Sequence, residues 1–543
     1  MNFMNEIRKL PFKKISRGEF KGWLREDLID LLPLDFFKDP ASAIQEMKEQ
    51  VIKESRWRWA AIFALGNERR VFLKIDKTKG WMELLKFMFL PSKARKEWLI
   101  VYQISKRNLN IPKPLGWIEK THFGFVKESY YLSEAIGTGT SFIEDLVKIR
   151  EHASIDELAK TLRKIHDSGL FHQDLHAGNF LWDGTSFFLS DLHRAKILKS
   201  VSSNQRLLNL SQLFHSLRSS WGEGERLRLV EKYFEGESVP LKKMEAILHK
   251  IGSRMDRLQR RQWRSRTKRC LKESSEFSVR KEGKVTTFYR KDFPLDRLRS
   301  LIEKHLTLIK EKPSFLLKQS PEVLVSMVEE GGDKLYVKHF LLPRVKDRVR
   351  ANFRLSKGLK AWVASNGLKV RGIPSLQVPA LIEKRDGLGL KESFLVMERA
   401  EKGLEMDRYI LRGIDDLRRK RLFIKHIAQW LSHLHQRNLY HRDMKTCNIL
   451  VSENGETWDL YLLDLEDVRL DEKVNEKRLF KNFLQLNTSI PKTITRSDRL
   501  RFFKEYNRIY SIVKNEKVFI DRLVKKSRER GVVYVSAEGV VEE

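Results

Sequence analysis

The chain has 543 residues, 41% hydrophobic, 10% aromatic and 33% charged, which is enough apolar material for two large cores and too much for a disordered polymer. Its formal charge of +34 favours polyanionic partners, whether nucleic acid, anionic lipid headgroups or phosphorylated glycolipid, among which charge alone does not choose, and its two cysteines, Cys270 and Cys447, indicate neither a disulfide framework nor a cysteine metal site. No apolar run approaches the roughly eighteen residues of a spanning helix and residues 1–20 lack the apolar stretch of a secretory signal, so the expected location is cytoplasmic, with at most peripheral contact with the inner membrane.

Along the chain, Val71-Phe-Leu-Lys74-Ile75 reads as a strand carrying a lysine, and Trp81–Leu90 as an apolar segment ringed by Lys79, Lys86, Lys93, Arg95 and Lys96. That segment suits either an anionic bilayer surface or packing inside the fold. Ser92-Lys-Ala-Arg-Lys-Glu-Trp98 reads as a helix and is followed by Asn110-Ile-Pro-Lys-Pro-Leu115. Ser154 is the expected N-cap of an amphipathic helix with Ile155, Leu158, Leu162 and Ile165 on one face. Next come Leu170-Phe-His-Gln-Asp-Leu-His-Ala-Gly-Asn-Phe-Leu181 and an apolar run ending in Asp191. The basic stretch 254–272 reads as a helix closing a first unit, with too few interleaved aromatics to make nucleic acid the expected partner.

The same order then recurs. Phe277–Arg290 reads as a hairpin, Leu335-Tyr-Val-Lys338-His339 is again a strand with a lysine, and Ser356-Lys-Gly-Leu-Lys-Ala-Trp362 repeats the helix. Phe423, Ile427, Leu431 and Leu434 share one helical face before Leu439-Tyr-His-Arg-Asp-Met-Lys-Thr-Cys-Asn-Ile-Leu450, and Tyr461-Leu-Leu-Asp464 follows. The lysine and the loop aspartate lie 100 residues apart in one copy and 105 in the other. The boundary is expected near residue 275, giving domains 1–275 and 276–543.

The repeated residues are those phosphoryl transfer requires: charge on the phosphates neutralised, divalent metal held, and the acceptor hydroxyl aimed by a carboxylate. Asp174 and Asp443 are the candidate bases, with Lys445 beside the second. Asn179, Asp191, Asn448 and Asp464 are the candidate Mg²⁺ ligands, oxygen donors that suit this ion. Lys74 and Lys338 are the candidate phosphate-binding lysines. His172 and His441 are expected to brace the loops.

Strand lysine, His-x-Asp-x-x-x-x-Asn and a following Asp resemble the protein-kinase signature, which implies an α+β chain of two kinase-like domains, each with a β-rich N-lobe and a helical C-lobe. Gln173-Asp-Leu-His176-Ala-Gly-Asn179-Phe, the helix 92–98 with its Ile-Pro-x-Pro, and Asp191-Leu-His resemble more closely the bacterial lipopolysaccharide kinases that phosphorylate heptose or 3-deoxy-manno-octulosonic acid (Kdo). That resemblance implies ATP and Mg²⁺ as cofactors and a sugar hydroxyl of the phosphorylated inner-core glycolipid as acceptor. It also assigns Glu97 as the ion-pair partner of Lys74. Glu134 and Ile136, in Ser133–Ile136, become the hinge that meets adenine, with Met397–Ala400 as counterpart, and Ser55 and Ser320 become parts of phosphate-covering loops that replace a glycine-rich loop. The second copy carries Ala361 at the Glu97 position and no acidic residue over 351–371, so it is either impaired, regulatory or arranged differently. Two alternatives stay open: a Ser/Thr protein kinase, favoured by His441-Arg-Asp-Met-Lys445, and an ATP-binding scaffold of two degenerate sites.

Overall fold

Alternation along the Lys74 strand sets the first layer: Val71, Leu73 and Ile75 are all but fully buried on one side of the chain direction. The computed structural model describes residues 11–45, 50–66, 69–105, 107–137, 152–237, 240–399, 403–414 and 416–531. The chain divides into two units, Met1–Gln259 and Arg260–Glu543.

In the first unit β1 (Phe12–Arg17), β2 (Phe20–Arg25), β3 (Gln50–Ser55), β4 (Arg58–Leu65), β5 (Arg69–Lys77), β6 (Pro114–His122) and β7 (Phe125–Glu134) form one antiparallel sheet in the order β1-β2-β6-β7-β5-β4-β3. The opening hairpin β1-β2 turns at Gly18, whose positive φ of 57° an L side chain rarely adopts. Between β5 and β6 lie α1 (Gly80–Phe89) and α2 (Lys93–Ser105). Helix α2 docks through Trp98, which is 1% exposed and stacks on Tyr102.

The helical part follows with α3 (His152–Asp167), α4 (Ser203–Ser216) and α5 (Glu223–Tyr233) around Leu162, Leu170, Phe180 and Phe214. All four apolar residues anticipated on one face of α3 are buried. Ser154, expected to cap α3, lies inside its first turns instead, because the helix already runs from His152. Short strands β8 (Leu170–His172), β9 (Phe180–Trp182), β10 (Phe187–Leu189) and β11 (Ala195–Ile197) pair as β9-β10 and β8-β11 and fix the loop between them. The basic helix α6 (Leu241–Thr267) spans the division between the units.

The second unit repeats the sheet strand for strand. Its β12 (Phe277–Glu282), β13 (Val285–Arg290), β14 (Lys318–Gln319), β15 (Val323–Glu330), β16 (Asp333–Leu341), β17 (Ala380–Asp386) and β18 (Gly389–Glu398) run β12-β13-β17-β18-β16-β15-β14, all antiparallel. Helix α7 (Leu295–Glu311) packs Leu298 and Leu301 beneath this sheet, and α8 (Lys357–Val370) carries Trp362, fully buried like Trp98. Helices α9 (Leu417–Gln436), α10 (Glu476–Ser489) and α11 (Arg496–Ile509) complete the helical part. Each unit thus has a β-rich lobe and a helical lobe of the protein-kinase type.

Candidate active site

Strand β5 presents Lys74 inward, where its Nζ lies 2.5 Å from Glu97 Oε2 on α2 and 2.8 Å from Asp191 Oδ1. Burial alone would depress this lysine, but the two carboxylates outweigh it and hold it well above the ordinary lysine range. Burial likewise opposes ionisation of Asp191, yet Lys74 and His193 hold it well below the usual carboxylate range. Asp191 has φ 58°, a left-handed conformation uncommon outside glycine, and Leu192 N–H donates to Glu97 Oε1 at 3.1 Å. Glu97, Asp191 and His193 each place one ligand atom within 4.8 Å of the others.

Lys74, Glu97 and Asp191 line a cavity of about 250 Å³ together with Lys53, Arg58, Asn179, Ala60 and Leu181. Glu134, Ala135 and Ile136 line it as well, the Glu134 and Ala135 N–H groups donating to Lys113 O and Arg70 O. The loop below is braced by His172: its Nε2 donates to Asp191 O at 3.2 Å and its Nδ1 accepts from Asp174 N–H at 3.3 Å. Burial keeps this imidazole below its ordinary pKa, so it is neutral at pH 7 and can both donate and accept. Asn179 Nδ2 donates to Asp174 O at 3.2 Å, which turns the amide oxygen into the atom that could meet a cation. Asp174 itself is ion-paired to Arg194, a residue the motif analysis did not single out.

Helix α4 holds the loop with three residues that also escaped that analysis. Asn209 Nδ2 donates to His172 O, Gln212 bonds Leu175 N–H and Gln173 O, and Ser216 Oγ accepts from Ala177 N–H. In the second unit Asn482, Gln485 and Ser489 of α10 do the same for His441 O, Met444 N–H with Arg442 O, and Thr446 N–H. The visible signal was Asn-x-x-Gln-x-x-x-Ser after each metal-type aspartate, placing all three residues on one helix face.

Around Lys338 the second unit differs in one respect. Its Nζ lies 2.7 Å from Asp464 Oδ1 and 2.8 Å from Glu466 Oε1, and these carboxylates outweigh burial to raise its pKa. Ala361 occupies the helix position of Glu97 and is fully buried. Asn448 Nδ2 donates to Asp443 O at 2.7 Å, Gln485 Nε2 to Asp443 Oδ1 at 3.0 Å, and Lys445 Nζ sits 3.2 Å from Asp443 Oδ2. Asp464 has φ 45°.

Ser55 and Ser320 do not join these groups. Ser55 ends β3, where its hydroxyl donates to Arg58 O at 3.0 Å and accepts from Arg58 N–H at 3.1 Å; Ser320 makes the same pair of bonds with Val323, at 3.0 Å each. The two segments read as loops are therefore edge strands, and their serines close the turns that follow. Lys53, on the same strand as Ser55, reaches the cavity instead. Of the counterpart hinge, Ala400 lies outside the described residues.

Residues 42–233 and 320–506 match the lipopolysaccharide kinase (Kdo/WaaP) family, so both units are covered. The chain belongs to that family. As a member of the lipopolysaccharide kinase family it is a kinase, in tandem duplicate. A segment of 106 residues, 19% of the chain, is 31% identical to Protein kinase kin1 of Schizosaccharomyces pombe (strain 972 / ATCC 24843) and spans 12% of that protein's length. Among solved structures, WaaP in complex with acyl carrier protein is similar at TM-score 0.32 and 20% identity, over 39% of this chain and 87% of that one. A Stt7 homolog from Micromonas algae soaked with ATP follows at TM-score 0.22 and 14% identity, over 28% of this chain and 51% of that one.

Proposed function

We propose that the first domain, residues 1–275, transfers the terminal phosphoryl group of ATP to a hydroxyl of heptose or Kdo in the lipopolysaccharide inner core. One observation carries this reading: Lys74, Glu97 and Asp191 meet in a cavity above the Asp174 loop, in a member of the lipopolysaccharide kinase family. Lys74, kept charged and extended by its two carboxylates, binds the α- and β-phosphates. Glu134 and Ile136 meet the adenine ring. Asp174 accepts the proton of the acceptor hydroxyl as its oxygen bonds to the γ-phosphorus and the bridging bond to ADP breaks; Arg194, already paired with Asp174, is the neighbouring cation that offsets charge on the moving phosphoryl group. The oxygens of Asp191 and Asn179 fit Mg²⁺, which when bound neutralises charge on the β- and γ-phosphates. ATP consumption with purified inner-core glycolipid tests the reading: it is expected in the wild type and lost in Asp174→Ala, whereas phosphorylation of protein with no glycolipid-dependent turnover would favour a Ser/Thr protein kinase.

The partner surface at the membrane is read from α1. Trp81, Met82 and Phe89 are 70, 70 and 85% exposed, no residue of α1 is buried among the described residues, and Lys79 and Lys86 flank them. The second unit exposes Val345 and Phe353 among Arg344, Lys346 and Arg350 at the same place after its lysine strand. Apolar side chains ringed by cations suit an anionic bilayer, where a glycolipid acceptor resides. Sedimentation with phosphatidylglycerol vesicles should retain the wild-type chain and release Trp81→Glu/Phe89→Glu.

A further inference from the structure

We infer that the second unit is a working Mg²⁺·nucleoside-triphosphate site in which Glu466 has taken over the lysine anchoring done by a helix glutamate in the first. A phosphate-binding lysine needs a carboxylate that keeps it charged and extended inside a dry lobe. In the first unit α2 supplies it through Glu97, 2.5 Å from Lys74. Helix α8 cannot. It lies too close to its surroundings: a Cβ at Gly358 would come within 2.8 Å of Leu381 Cδ1 and Ser393 Oγ, and one at Gly367 within 2.3 Å of Leu470 Cδ1. Ala361, at the helix position of Glu97 and fully buried, carries no charge, and no acidic residue lies anywhere on α8.

The missing carboxylate returns from another element. The turn after Asp464 reads Asp-Leu-Glu where the first unit has Asp-Leu-His, and Glu466 Oε1 reaches 2.8 Å from Lys338 Nζ with its side chain 15% exposed. Asp464 keeps the left-handed backbone of Asp191 and the same bond to its lysine. The cation beside the loop aspartate has moved as well, from Arg194 in the first unit to Lys445 in the second. Both sites therefore bring two cations and three carboxylates to equivalent places by different chain positions. A decaying site would lose such charges singly; here each loss is matched by a gain.

The inference concerns the second unit alone and stands independently of the acceptor proposed for the first. It is tested by the number of nucleotides bound per full-length chain, from calorimetric titration with a non-hydrolysable ATP analogue and Mg²⁺. Two per chain are expected in the wild type; in each of Glu97→Ala and Glu466→Gln one site should keep its affinity and the other should weaken about tenfold or more. A melting temperature unchanged without nucleotide separates anchoring from a merely structural role. Lys338→Met, which removes the cation instead, reads the same site should the glutamine variant unfold. A wild-type stoichiometry of one, at a site that Glu97→Ala weakens, or two sites of unchanged affinity in Glu466→Gln, overturns the inference.

Discussion

The two units use one sheet order, one loop brace and one left-handed aspartate, yet they differ where the charges are mounted. The first carries its lysine anchor on a helix and its loop cation after Asp191; the second carries the anchor after Asp464 and the loop cation within the loop. The comparison teaches that this site is defined by where charge sits in space and tolerates changes in the residue that supplies it. An alignment by position alone would score Ala361 as a lost residue and Glu466 as an unrelated one.

The comparison can be broken most forcefully at the loops. Asp174→Ala should lower glycolipid-dependent turnover by about 10²–10⁴-fold, the usual size of a general-base effect. Asp443→Ala should leave that turnover within a few-fold if the units act separately.

A feature the units share gives a pH test. His166 bonds Tyr233 Oη at 2.7 Å and His435 bonds Tyr506 Oη at 2.6 Å, and burial depresses them to about 4 and about 3 from 6.5. Below pH 6.5 the unfolded chain takes up protons that the native one refuses, so the stabilisation is full above that pH and is lost as pH falls toward the native values. Between pH 7 and 4 the loss should be about 3 kcal/mol per histidine. Melting temperatures between pH 7 and 4 should fall in parallel for both units, and His166→Gln and His435→Gln should each flatten the fall in one unit only.

Moving the anchor sharpens the comparison further. Glu97→Ala should raise the KM for ATP in the first unit by about tenfold, equivalent to about 1.4 kcal/mol, and adding His193→Glu, which copies the second unit, should recover part of it. Failure of that recovery would show that the helix position matters as well as the charge. The smallest effect is expected at the turns: Ser55→Ala should cost about 1 kcal/mol of stability in denaturant melts, the net value of a lost hydrogen bond, and leave the KM for ATP unchanged.

Much of this was legible in the sequence because each landmark carries its own local signal. Lys74 and Lys338 sit in short apolar runs, Asp174 and Asp443 in repeated loops, and Asp191 and Asp464 end strands. What escaped is what only three dimensions bring together. Arg194 and Glu466 follow the metal-type aspartates by three and two residues, and nothing in that spacing announces that one reaches a loop aspartate and the other a strand lysine. Ser55 and Ser320 bond across the turns after the edge strands, and a serine that closes such a turn has the same neighbours in sequence as one that covers a phosphate. The hairpin Phe12–Arg25 was missed because its outward residues are charged enough to hide the alternation of Phe20, Gly22 and Leu24.

The close seat of helix α8 has a consequence for how the duplicate can change from here. A Cβ at Gly358 or Gly367 would press on Leu381, Ser393 or Leu470, so the two glycines let the helix sit at its present distance. The lysine of this unit therefore takes both of its ion-pair partners, Asp464 and Glu466, from the turn that follows the strand Thr457–Leu462. Mounted this way, the lysine anchor and the left-handed aspartate of the second unit belong to one short turn, so a change in that turn acts on both at once.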